Sequence, residues 1–175
     1  MKGPALIFQL LILGLTLTLG SCKKDPEFVA GEVLFQTYDT VSFYNAYKLF
    51  ENLQLKIKEA YSFQYLIKTT ADSVDTITSI LYSKSYLTSA SGGITFGILY
   101  LSDTLHITAN FFDLDSIEAN DWFNTIAILN LKENLNGNFF KWGALIVPIG
   151  QEQYWVDKLN SYSIIEAAQL NHIIH

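Results

Sequence analysis

Hydrophobic and polar positions along this chain follow two periods, and short polar clusters mark where one gives way to the other. In GEVLFQTY, Val33, Phe35 and Thr37 alternate with Leu34, Gln36 and Tyr38. A period of two sends successive side chains to opposite faces, so this stretch predicts a strand. Asp39 and Thr40 turn the chain, and Ser42 is placed to cap a helix. Phe43, Ala46, Tyr47, Phe50 and Leu53 then recur at helical spacing and give one apolar stripe. LKIKEAYSFQYLIK, rich in aromatic and branched residues, predicts a second strand.

The far end repeats this order. GALIVP is a short apolar run stopped by Pro148, as expected of a strand buried on both faces. Gly150 opens QEQYWVDKLNSY, where Glu152 sits in the first helical turn and complements the helix dipole. Trp155 and Leu159 are four apart with Val156 beside them, and SIIEAAQLNHII returns as a last strand. Both ends thus read strand, helix, strand. That is the split βαβ pattern of a ferredoxin-like α+β sandwich, an antiparallel sheet with helices on one face.

The middle, residues 71–142, reads as a folded insertion. Asp72 and Asp75 open a helix through SVDTITSILYSK. GGITFGILYLSDTLHITANFF predicts a hairpin that turns at Ser102-Asp103. Ile94, Phe96, Ile98 and Tyr100 share one face of its first strand. Leu105, Ile107, Ala109 and Phe111 share one face of its second. Asp115 and Glu118 have capping-box spacing, which starts a helix before ANDWFNTIAI. The insertion is expected to extend the sheet or to cover one face of it.

The N-terminus has a different character. Met1-Lys2 is basic, and Ala5 to Leu19 is almost continuously apolar and uncharged. The run is shorter than the ~20 residues of a spanning helix. Small residues follow it at Gly20-Ser21, so residues 1–21 read as a secretory signal. Cys22 is the one cysteine and has no disulfide partner in its own chain. Leu19-Gly20-Ser21-Cys22 resembles the lipobox of bacterial lipoproteins, in which the chain is cut before the cysteine and the thiol is acylated. The resemblance implies lipidation at Cys22 and a membrane partner reached through that anchor. Each buried methylene adds ~0.8 kcal/mol, so several chains hold durably. CKKDPE resembles a tether of the Bacteroidetes type, with residues 22–29 as lipidated cysteine and linker. Lys23 in place of aspartate implies the outer membrane. Asp25 and Glu27 resemble surface-export signals of that phylum, so either the periplasmic side or the cell surface fits.

Composition narrows the partners. Loss of residues 1–21 removes Lys2 alone among the charges, so 11 lysines become 10 against 17 acids, formally −7. Arginine is absent. Phosphate grips favour arginine forks, so nucleic acid is not an expected partner. No heptad or longer repeat is evident, and residues 30–175 suit a single domain.

Two stretches carry a second resemblance. AGEVLFQTYDTVSFYNAYKLFENL is similar to the opening of a subtilase propeptide domain, the subtilisin-propeptide class of proteinase inhibitors. VPIGQEQYWVDKLNSYSIIEAAQLNHII is similar to its ending. Gly31, Glu32, Val33 and Leu34 match, as do Pro148, Gly150, Trp155, Leu159, Ile165, Ala168 and Asn171. The family's domain covers its protease with the outer sheet face and lays its C-terminal tail in the substrate cleft. The resemblance therefore makes Asn171, His172, Ile173, Ile174 and His175 a candidate protein-binding tail, able to pair as an added strand. The insertion departs from the family's pattern.

Candidate chemistry is sparse. His172 and His175 have the spacing of a metal pair, but a strand or tail at the chain end would splay them, so a polar terminus is the plainer reading. His106 and Asp103 lack a nucleophile elbow to complete a triad. DLDSIEAND gathers acids without the spacing of a calcium loop, and a capped helix start explains it. Trp155 belongs to a core stripe, while Trp122 and Trp142 are candidates for an exposed pair that contacts a glycan. No catalytic residue, metal or cofactor is expected. The expected function is a non-catalytic outer-membrane lipoprotein with a protein-binding module, a protease inhibitor being the specific form. The alternative is a surface interaction or structural lipoprotein that reuses the fold and binds a surface glycan.

Overall fold

The computed structural model describes residues 27–87, 97–136 and 140–173. The expected signal, Cys22, most of the tether, Ile94, Phe96, Ile174 and His175 lie outside the described residues. Residues Phe28–His172 form one compact unit. Glu27 and Ile173 belong to a second unit, in which the Ile173 N–H donates to the Glu27 carbonyl at 2.8 Å. No helix among the described residues is long and apolar enough to cross a membrane.

The compact unit runs β1 (Phe28–Thr37), α1 (Phe43–Asn52), β2 (Lys56–Lys68), α2 (Ala71–Tyr82) and a 3-10 turn (Ser85–Leu87). It continues with β3 (Gly97–Leu101), β4 (Thr104–Phe112), α3 (Ser116–Leu129), β5 (Lys132–Glu133), β6 (Lys141–Ile146), α4 (Glu152–Leu159) and β7 (Ile165–His172). The strands form one sheet in the order β3-β4-β2-β6-β1-β7, and β5 pairs with β2. Every pairing is antiparallel. The class is α+β, as the alternating periods predict.

Local chemistry accounts for the element starts. The Ser42 side chain accepts from the Asn45 N–H at 3.1 Å and caps α1. Asp115 accepts from Ile117 and Glu118 while the Glu118 carboxylate reaches back to the Asp115 N–H, a complete capping box for α3. Ser102 and Asp103 both take positive φ, +46° and +72°, the two-residue turn that matches strand twist in a hairpin. Thr70, ahead of the expected Asp72, is the residue before α2 and makes no side-chain cap.

The four α-helices among the described residues bury their apolar sides against the same sheet face. Phe43 and Phe50 of α1, Ile77 and Leu81 of α2, Trp122 of α3, and Trp155 and Leu159 of α4 join one core with Val33, Phe35, Phe63 and Ile107. The insertion therefore extends the sheet. It adds β4 and β3 beyond β2 and sets its helices beside the others.

That one-sided arrangement corrects the expectation for β6. Lys141, Gly143 and Leu145 turn to the core, whereas Trp142 and Ile146 are exposed. No side chain fits at Gly143. A Cβ there would lie 2.1 Å from the Glu59 carbonyl oxygen and 2.8 Å from the Phe35 ring. β2 shifts register between Ile57 and Glu59, directly alongside.

Candidate binding face

Parity along the strands decides what the uncovered face carries. Phe112 of β4, Tyr61 of β2 and Trp142 of β6 stand side by side on it. Tyr61 is paired with Trp142 across β2 and β6, and Phe112 lies opposite Glu59. The Tyr61 and Trp142 rings stack at 4.3 Å and 24°, and Phe112 meets Tyr61 edge-on at 5.5 Å and 84°. Such pairs contribute ~0.5–1.5 kcal/mol beyond area burial, enough to hold the rings upright on the sheet. Trp142 keeps 41% of its surface exposed.

Between Trp142 and β7 runs a shallow groove of ≈ 220 Å³, lined by Leu34, Gln36, Trp142, Ala167 and Gln169. The Gln36 Nε2 donates to Glu166 Oε2 at 2.7 Å, which fixes the amide beside the indole. The Tyr61 hydroxyl donates to Glu59 Oε2 at 2.8 Å. Partial burial, then the Glu59 carboxylate, pushes the phenol up to about 12, so it stays a neutral donor at physiological pH. Farther along the sheet, Glu32 accepts from Lys58 Nζ at 2.6 Å and from Asn171 Nδ2 at 2.9 Å. What this face offers is flat aromatic contact area rimmed by amides and carboxylates.

The expected site residues scatter. Trp122 is fully buried, and its Nε1 donates to the Tyr65 hydroxyl at 3.2 Å. The candidate exposed pair of Trp122 and Trp142 therefore does not form, because α3 turns Trp122 to the core; the stacking partner of Trp142 is Tyr61. Asn171 and His172 lie within β7, with His172 opposite Phe28, and Ile173 follows the strand. His106 is half-buried on the open face, opposite Leu66 and Leu99, while the Asp103 carboxylate takes the Thr104 hydroxyl at 3.1 Å. The acids of DLDSIEAND are spent on structure. Asp115 and Glu118 cap α3, and Asp121 accepts from Lys84 at 2.8 Å and Tyr86 at 2.6 Å. Lys84, then Tyr86, holds the Asp121 carboxyl below its usual range. Among the described residues, no three His, Cys, Asp or Glu side chains gather where a metal ion would be held.

Lys141 and Glu133 form a charged pair in the core. Lys141 Nζ donates to the Val41 carbonyl at 2.7 Å and to Glu133 Oε1 at 3.3 Å. The Glu133 carboxylate also accepts from the Phe43 N–H at 2.8 Å, so it closes the first turn of α1 from across the fold. Burial pushes the Glu133 carboxyl up, against the opposing pull of Lys141 and Phe43. Perturbed buried groups mark active sites or structural pairs. Here every polar atom is spent on a helix end or a loop carbonyl, so the pair is a fastener. Nothing in the run LNLKENLN distinguishes Glu133 beforehand.

A search of protein-family models, curated proteins and solved structures gives no match to this chain.

Proposed function

We propose that this chain is a non-catalytic outer-membrane lipoprotein, anchored by acyl chains on Cys22, whose open sheet face binds a protein, a subtilisin-like protease being the partner class. The observation that carries the reading is the sheet face left uncovered among the described residues. It presents Phe112, Tyr61 and Trp142, with Ile146 beside them, at 41% exposure for Trp142 and for Ile146. Exposed aromatic side chains grouped on one surface are the usual anchors of protein interfaces.

The finer fold we propose is ferredoxin-like. In its support, β6 lies antiparallel between β1 and β2, β7 flanks β1 on the far side, and α1 and α4 make the two crossovers. The insertion lengthens this sheet at β2 and, among the described residues, puts nothing over the face a protease would need. Residues that carry the resemblance to the propeptide family have physical tasks in the fold. Gly31 and Gly150 take φ of +78° and +83°, and both backbone N–H groups donate to Glu152 Oε1, at 2.7 and 3.0 Å.

Titration of residues 23–175 into subtilisin-like proteases tests the reading. Inhibition is expected, and it should weaken with Trp142→Ala and with removal of the last four residues. Micromolar protein that neither slows these enzymes nor resists their digestion sinks the protease partner. The anchor has its own test. Cys22→Ser should move the full chain out of the detergent phase, and unchanged partitioning refutes lipidation.

A glycan is the second reading, favoured by the groove itself. One indole face, the Gln36 and Gln169 amides and a small Ala167 floor suit a neutral sugar ring. Neutral oligosaccharides that shift the Trp142 fluorescence, with no protease inhibition, would select it.

A further inference from the structure

Strand β7 is an edge of the sheet, with β1 as its neighbour. In an antiparallel pair, alternate residues aim both backbone groups at the neighbour, and the residues between aim both outward. Ala168 is of the outward kind. Its N–H donates to Asn160 Oδ1 at 2.7 Å, and its C=O accepts from Asn160 Nδ2 at 3.0 Å. Asn160 is the C-cap residue of α4, so the helix end delivers this amide to the strand edge. A planar amide that gives one donor and one acceptor to the same residue reproduces what a facing strand residue would give. Among the described residues, other protection of this edge is thin. Ile165–His172 holds no lysine and no proline, and its one acidic residue, Glu166, is bound to Gln36.

We infer that Asn160 is a plug on a pairing-competent edge, and that the occupant it excludes is β7 of a second copy of this chain. Register supports self-pairing. A two-fold antiparallel arrangement centred on Ala168 sets Ala167 opposite Gln169 of the other copy, and the regular run ends at Glu166, where β7 bulges against β1. The two Glu166 carboxylates then lie at opposite ends of the paired run, and alanine side chains lie at its centre. The outward groups of Ala168 exchange the Asn160 amide for the same pair of bonds from the second copy.

The experiment uses the chain from Lys23 onward, which contains the compact unit Phe28–His172 entire. Wild type is expected to sediment as a monomer across a concentration series. Asn160→Ala is expected to double its mass as concentration rises. Adding Ala168→Pro, which deletes an outward N–H without removing a bond to β1, should return it to a monomer. Circular dichroism checks that each variant is folded. Should Asn160→Ala not fold, Asn160→Asp replaces it: the acceptor for the Ala168 N–H stays and the donor to its C=O is lost. A folded variant that stays monomeric overturns the inference, as does a dimer that survives Ala168→Pro or a wild type that dimerises equally well. A monomeric variant that captures an unrelated extended peptide overturns the second copy as occupant.

Discussion

Phe111 and Phe112 are adjacent in the chain and belong to different worlds. Phe111 points under the helices, stacked on Phe43 at 4.2 Å and 14° and edge-on to Trp122 at 5.4 Å. Phe112 points the other way, to Tyr61 and through it to Trp142. Both faces of the sheet therefore carry an aromatic row, and the two rows differ in what covers them. On the helix side Phe43, Phe63, Phe111 and Trp122 are at most 1% exposed. On the other side the same kind of side chain keeps water contact. Burial, rather than residue type, decides whether an aromatic ring stabilises this fold or is available to a partner.

The largest effects belong to the covered face. Trp122→Ala should cost ~3–5 kcal/mol, because it removes a fully buried indole from the core. It also leaves the buried Tyr65 hydroxyl without the Trp122 donor. Trp155→Ala should fall in the same range, since Trp155 packs α4 on the sheet at 9% exposure. Urea midpoints read both. A shift within ~0.5 kcal/mol, the range of a surface substitution, would erase the difference between the faces.

Slightly smaller is the expected loss in Lys141→Met. Removing one partner of a buried ion pair costs ~3–5 kcal/mol, and the Phe43 N–H that Glu133 keeps places this case near the lower end. The pH dependence has a definite sign. Burial raises the Glu133 carboxyl, so the fold favours its protonated form. Its contribution to stability is fullest below the unfolded carboxylate range and declines as pH rises through the raised folded value. Lys141 is the first of the opposing influences, and without it the folded value climbs further. The variant's deficit should therefore be larger at pH 8 than at pH 5. A deficit equal at both would mean that Lys141 holds Val41 alone.

What the sequence made legible follows the same division. The covered side of β1, α1 and the β3–β4 turn announces itself because each signal is local: alternation at Val33 and Phe35, a stripe from Phe43 to Phe50, positive-φ residues at Ser102-Asp103. The capping box at Asp115 is equally local. The open face depends on parity across register shifts, which no local pattern carries. β2 shifts register twice, and Ser62 takes φ of +69°, so which face Tyr61 belongs to is not readable from alternation alone. The apolar run in GALIVP hides a one-sided strand for a related reason, since Ala144 is buried on the open face with no described helix over it. The place of Trp122 is not readable from the α3 segment because its apolar residues do not mark one face: Ile117 and Ile128 are exposed at 77% and 81% while Trp122 is buried. Glu133 acts across ninety residues of chain on Phe43 and Asn160 across the turn from α4 into β7 on Ala168, and only the folded backbone brings each to its partner.

Glu152 gives a pH effect of the opposite sign on the same covered side. Its carboxylate gathers the N–H groups of Gly31 first and then its own and that of Gly150, and these hold it below the usual range. A lowered carboxyl adds stability above the unfolded carboxylate range and loses it as pH falls through the folded value. Glu152→Gln should therefore lower the thermal midpoint at neutral pH, with the gap to wild type closing in acid. A gap that stays constant down to acid pH would take the charge out of the Gly31–Gly150 clip.

The smallest effect on stability is expected at Trp142, and it is the sharpest test of the comparison. Trp142→Phe keeps an aromatic ring on Tyr61 and changes a half-open surface, so the urea midpoint should move by no more than ~0.5–1 kcal/mol. Its optical consequence should be large. With Trp122 fully buried and Trp155 nearly so, Trp142 is the tryptophan that acrylamide in solution can reach. Wild-type fluorescence should contain a quenchable component and a protected one, and Trp142→Phe should delete the first and leave the second. If the variant is quenched as strongly as wild type, Trp142 is covered in solution, and the open face is not a surface a partner can use. If the quenchable component disappears and the fold keeps its midpoint, the two aromatic rows are separable. The open one can then be altered for binding without disturbing the one that holds the protein together.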